Sequence, residues 1–260
     1  MARWSRPAPG QIIPRGCANS SACCARKRRS RKKRLPPSAK QPATPVYIES
    51  GRTRTFACAY EWPGWCRSAK GEEAALAALA SYAPRYAPVA KRAKLPFDPR
   101  TVRGVRVVER IPGSANTDFG VPHEISKRDT TRLSAAGAKR MAALVKAAWD
   151  LFDEVAASAP AELRKGPRGG GRDRDKMIDH VLGADEIYAR KLGLRLSAPP
   201  RADRAAIRAF RAAVIEALEK PSNGAPPSEK GWPQRYAARR IAWHALDHAW
   251  EIEDRSHPTG

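Results

Sequence analysis

No stretch of this 260-residue chain approaches eighteen consecutive apolar residues, so no membrane-crossing helix is expected. Its amino-terminal part also lacks the continuous apolar segment of a secretory signal. Cysteine is scarce. Of the five, Cys17, Cys23 and Cys24 fall within the first 45 residues, and Cys58 with Cys66 is a single pair with neither zinc-ribbon spacing nor the density of a disulfide framework. A reduced, cytoplasmic setting is the expectation that follows. A Walker loop is missing too, because the run Lys165-Gly-Pro-Arg-Gly-Gly-Gly-Arg-Asp-Arg174 is not followed by Gly-Lys-Ser/Thr and reads as an ordinary loop.

Acidic residues are absent from residues 1–45, which carry twelve Lys and Arg, among them Arg26-Lys-Arg-Arg-Ser-Arg-Lys-Lys-Arg34. That segment therefore holds more than half of the formal charge of +23. It has no hydrophobic period and is expected to be a disordered basic extension or a mis-called start, with Val46 as the alternative beginning. The Ala, Arg, Pro and Gly content suits a high-G+C bacterial genome, in which upstream sequence reads through as such peptide. If exposed, the arm would bind polyanions. No helix-turn-helix or RNA-binding signature accompanies it, so nucleic acid is not the expected partner.

Residues 46–125 read as a small ββαββ layer. In Val46-Tyr-Ile-Glu-Ser-Gly-Arg-Thr-Arg-Thr-Phe-Ala-Cys-Ala-Tyr60, two β-rich runs flank a turn at Ser50-Gly51. An Ala/Leu helix follows over about 71–82 and continues weakly across Pro84 and Pro88, and 102–111 with 115–121 suggest a second hairpin around Pro112-Gly113. The stretch Trp62-Pro-Gly-Trp-Cys66 followed by Gly71-Glu-Glu-Ala74 resembles, over about residues 46–76, the amino-terminal half of HicB antitoxins, with Trp65 inserted before Cys66. The resemblance implies a fold rather than an antitoxin function.

From Leu133 the period changes from two to 3.6. Helices are expected over about 134–159, 173–192, 201–219 and 233–255, so residues 126–260 read as a four-helix bundle and the whole chain as α+β. Histidine, present only five times, concentrates here. His244 and His248 are four residues apart, one above the other on a helical face with Ile241, Ala245 and Ile252, and His180 lies among Met177, Val181, Ala184 and Ile187. Three inward imidazoles from two helices would form an open site for one divalent transition ion, zinc or nickel. The alternative is three core histidines, each bonded to a carbonyl or carboxylate. His123 and His257 are expected in solvent.

His180 in Asp179-His-Val-Leu-Gly-Ala-Asp-Glu-Ile-Tyr188, together with the His-x-x-x-His pair His244 and His248 in a Trp-rich last helix, resembles the DinB-like metal-binding bundles over about residues 130–256. The resemblance implies a divalent ion held by these three histidines, frequently in homodimers. Its activities include thiol-dependent transfer and isomerisation of small molecules. The family's usual ending after the pair is replaced here by Ala249-Trp-Glu-Ile-Glu-Asp-Arg255, so substrate groups from that end do not carry over. Trp243 and Trp250, off the histidine face, supply a candidate dimer surface.

The expected function is that of a metal-dependent hydrolase or thiol-dependent transferase or isomerase acting on a small molecule. A non-catalytic metal-bound scaffold, or a HicB-like nucleic-acid-associated regulator, are the alternatives. Asp185, Glu186, Asp247 and Glu251 are candidates for the proton acceptor, Tyr188 for a donor to a substrate oxygen, and Arg168, Arg172 and Arg174 for anion contacts.

Overall fold

The computed structural model describes residues 43–99, 104–166 and 170–256. The basic arm, Arg168 and His257 lie outside them. Gln41–Gly260 form one compact unit. Among the described residues it holds four strands and seven α-helices: β1 (Thr44–Ser50), β2 (Thr55–Ala59), β3 (Cys66–Ala69), α1 (Glu72–Ser81), α2 (Ala83–Arg92), β4 (Val105–Pro112), α3 (Ala115–Phe119), α4 (Ala135–Ser158), α5 (Arg174–Lys191), α6 (Arg204–Glu219) and α7 (Gln234–Ser256). No described helix is long and apolar enough to cross a membrane.

The sheet order is β3-β2-β1-β4. The first hairpin forms as the sequence suggests, with Val46 opposite Ala59 and Ser50 opposite Thr55, closed by the Gly51 N–H donating to Arg54 O at 2.8 Å. The second hairpin does not form. β4 runs parallel to β1 after the crossover through α1 and α2, and residues 115–119 are helical. The reason is local: the Thr117 hydroxyl accepts from the Ser114 N–H at 2.9 Å at the start of the turn, and Gly120 closes it at φ 115°. β1 and β2 are buried on both faces, so their sequences do not alternate cleanly, whereas edge strand β4 does. Val46, Ile48, Ala57 and Ala59 join Trp65, Leu79 and Tyr86 in one core, while Tyr47, Phe56, Cys58, Tyr60 and Cys66 gather around Trp243 in a second. Cys58 and Cys66, read as a pair in a reduced setting, face each other in the β2–β3 register and are joined as a disulfide.

The expected architecture, a four-helix bundle preceded by a separate ββαββ layer, is overturned. The long helices exist, with Ser134 capping α4 through the Gly137 N–H and Asp203 capping α6 through the Ala206 N–H. They do not, however, close a bundle of their own. α4 packs on α7 and α6 but also on α2, and α7 carries a buried residue at every position from Tyr236 to Leu246. A bundle helix would keep a wet side. Here that side meets the sheet: Trp243 packs edge-on against Phe56 with ring centroids 6.3 Å apart. The chain is thus α+β, with seven helices and a mixed four-stranded sheet sharing hydrophobic cores.

The same packing corrects the expected tryptophan patch. Trp243 and Trp250 are only 5% and 2% exposed, Trp250 lying against Tyr82, so neither offers a dimer surface.

Burying α7 all round places Arg239 in the interior. Its Nε donates to Asp129 Oδ1 at 2.9 Å, its Nη2 reaches Asp129 Oδ2, and its Nη1 donates to the Tyr47 hydroxyl on β1. Asp129 is held in turn by the Ser126 N–H and hydroxyl, both at 2.8 Å. Removing one partner of such a pair leaves an uncompensated buried charge. Asp129→Ala is therefore expected to destabilise the fold by about 3–5 kcal/mol in urea denaturation; a loss below about 1 kcal/mol would show that Arg239 does not depend on this carboxylate.

Candidate metal centre

α5 lies against α7, and this contact brings together the three histidines singled out by their spacing. His244 Nε2 is 3.2 Å from His180 Nε2 and 3.2 Å from His248 Nε2. The rings meet at steep interplanar angles of 60°, 82° and 87°, so their edges converge instead of their faces stacking. Imidazole lone pairs lie in the ring plane, so rings that meet edge-on can direct them into the space between the three nitrogens. Two nitrogens bound at zinc distances with a tetrahedral angle stand about 3.3 Å apart, close to the two separations that His244 makes.

Protonation suits the same purpose. Burial, followed by repulsion from His248, holds His180 at about 4. It holds His244 well below the usual imidazole range for the same reasons, with further contributions from His180, Arg240 and Arg172. Both are neutral at pH 7. His248 Nδ1 lies 3.0 Å from Glu251 Oε2, and Glu251 Oε1 accepts from Arg255 Nη1 at 2.7 Å. An ionised Glu251, its carboxyl lowered first by the His248 hydrogen bond, places the proton of a neutral His248 on Nδ1. The Nε2 lone pair then faces the centre. Hydrogen bonds alone do not resolve the cluster well, because the one Nε2 of His244 faces two neighbours and can donate to or accept from only one of them at full strength. A shared cation satisfies all three nitrogens. These atoms all lie within 4.8 Å of one another, and the residues present fit a divalent ion.

Of the four acidic candidates, the structure brings only Glu251 to a histidine. Asp247 pairs with Arg67 at 2.9 Å, and Glu186 holds Arg190 at 2.8 Å and the Ala198 N–H at 3.0 Å. Asp185 is buried beside Trp149 and Arg211. Arg174 bonds Asp175 and Ala159 O, whereas the exposed Arg172 acts electrostatically on His180 and His244. The His123 side chain is exposed as expected, although its backbone ties Tyr236 and Glu49 together. Tyr188 is buried with its ring edge-on to His244, centroids 5.7 Å apart, and its hydroxyl 3.3 Å from Arg240 Nη2.

No family model, curated protein or solved structure matches the chain. The DinB-like pattern therefore rests on the three histidines and the helices that carry them, and the HicB-like one on the short stretch through Cys66.

Arg240 is the residue that the histidine pattern leaves out. It lies one turn before His244, so the i, i+4 spacing that pairs His244 with His248 extends back to it. An arginine in a helix reads as a solvated face, and only its burial distinguishes it.

Asp185 gives a pH test of the core behind the centre. Burial pushes its carboxyl up from 3.8 to about 7, against the opposing pull of Arg211 and Trp149. Between those values the unfolded chain is ionised and the folded chain is protonated at this site. The penalty for keeping the aspartate grows over that window and levels off above it. Asp185→Asn is expected to gain stability relative to the parent as pH rises from 5 to 8, by on the order of 1–3 kcal/mol. Thermal unfolding of both proteins at the two pH values measures this, and an unchanged difference would refute the raised carboxyl.

Proposed function

We propose that this chain binds one divalent transition ion, zinc or nickel, through His180, His244 and His248, and uses it in catalysis on a small molecule. The observation that carries the reading is the approach of the His180 and His248 Nε2 atoms from two helices to within 3.2 Å of His244 Nε2, with all three ligand atoms inside 4.8 Å and two of the rings kept neutral by burial. Three neutral ligands leave the ion its full double charge and an open position for water, thiol or substrate, where it would act as a Lewis acid.

Glu251 is the positioning residue of this site. Held by Arg255, it fixes the tautomer and ring orientation of His248, and it is the one acid among the four candidates able to exchange a proton close to the centre. Hydrolysis and thiol-dependent transfer or isomerisation are the reaction classes this supports, with a small-molecule or thiol substrate.

Protein purified without a metal-affinity tag and loaded with zinc or nickel is expected to hold close to one ion per chain by elemental analysis. His244→Ala and His248→Ala are expected to lose it, and Glu251→Gln to weaken affinity by about 10–100-fold. Far-UV circular dichroism should be nearly unchanged in all three, because the core does not need the ion to fold. Equal, low metal content in the parent and the histidine variants would sink the reading.

A further inference from the structure

We infer that the substrate of the proposed metal centre is a carboxylate anion, received by Arg240 and the Tyr188 hydroxyl beside His244. The inference rests on the metal reading for the substrate's other end, and on Arg240 itself for its charge.

Arg240 is only 7% exposed and has no carboxylate partner among the described residues. Its Nη2 reaches the Tyr188 hydroxyl at 3.3 Å, while Nε and Nη1 are buried with no hydrogen-bond acceptor. The guanidinium is 4.8 Å from the centroid of the Trp243 ring and 5.5 Å from that of Tyr188. Ring faces offset part of the desolvation of a cation, but they do not accept its in-plane N–H groups. The neighbouring Arg239 shows what a satisfied buried guanidinium looks like in this protein, since Asp129 and Tyr47 take its donors. Arg240, one position on, is built into the same helix without an acid.

Two further observations place the missing acceptor near the centre. His244 Nδ1 is buried and unpartnered, and it becomes a donor whenever Nε2 serves a metal. The Tyr188 hydroxyl accepts from Arg240, and its own proton has no acceptor among the described residues. Arg240, His244 and Tyr188 thus collect donors and positive charge in one aromatic-walled region, with the Trp232 ring centroid 5.2 Å from that of Tyr188. The exposed Arg172 adds positive charge on the outer side of the histidines. An anion is the ligand that answers this arrangement, and a planar carboxylate suits a guanidinium enclosed by rings. Arg240 and His244 are one helical turn, about 6 Å, apart along α7. A ligand that joins them therefore needs a metal-binding atom and a carboxylate separated by a few bonds, as in a short dicarboxylate.

The test is calorimetric titration of succinate and of acetate into zinc-loaded and metal-free protein. Zinc-loaded parent protein is expected to bind succinate about tenfold or more tighter than acetate. Arg240→Met, which keeps an unbranched apolar stem but removes the guanidinium, should lose at least about tenfold in succinate affinity while still holding one zinc. Tyr188→Phe should lose a smaller factor and serves as a second variant if Arg240→Met does not fold. Zinc binding with succinate affinity absent, or unaltered by these substitutions, overturns the anion site and leaves the metal reading standing. Absence of zinc binding with Arg240-dependent succinate binding removes the metal and keeps the anion site. Absence of both overturns both.

Discussion

The structure depends on one helix having no wet side over eleven consecutive residues. α7 is covered by α4 and α5 on one flank and by the sheet at Trp243 on another, so the eleven residues from Tyr236 to Leu246 are all buried although two of them are arginines. Burying charges in such a helix is costly unless they are paired, and Arg239 shows how one of them is: Asp129 and Tyr47 take its donors from the connector and from β1. The ion pair is therefore what lets the sheet and the long helices share a helix instead of forming two separate bodies.

The candidate site inherits this placement. His244 sits deep because α7 is central, and that depth keeps its imidazole neutral. His248, one turn on and nearer the helix end, is half-buried and meets Glu251, which is itself steadied by Arg255. His180 arrives from α5. The centre is thus graded from a dry inner ligand to two partly open outer ones. Arg240 stands one turn before the inner ligand along α7.

Parts of this were legible in the chain. The first hairpin, the long helices and the three histidines all follow from short-range rules: turn residues, caps and periodicity act within a few residues, and histidines at i and i+4 share a face wherever a helix forms. What misled was also local. Residues 115–121 look like a strand if their β-branched and aromatic members are counted, yet Ser114, Thr117 and Gly120 form helix caps. Trp243 and Trp250 look exposed because they lie off the histidine face, but a helix buried on several sides has no spare face to expose.

The sequence by itself determined which segments become helices and strands and which histidines share an inward face, because those properties depend on neighbours along the chain. Tertiary structure decided the rest. It set β4 parallel to β1, merged the helices with the sheet into one α+β unit, and joined Cys58 to Cys66 across β2 and β3. It also selected Glu251 from four equivalent acids, and it gave adjacent arginines opposite circumstances, Arg239 with a carboxylate and Arg240 without one. The physical reason is that burial and partner identity are properties of the space around a side chain. That space is built by residues more than a hundred positions away, as Asp129 is from Arg239.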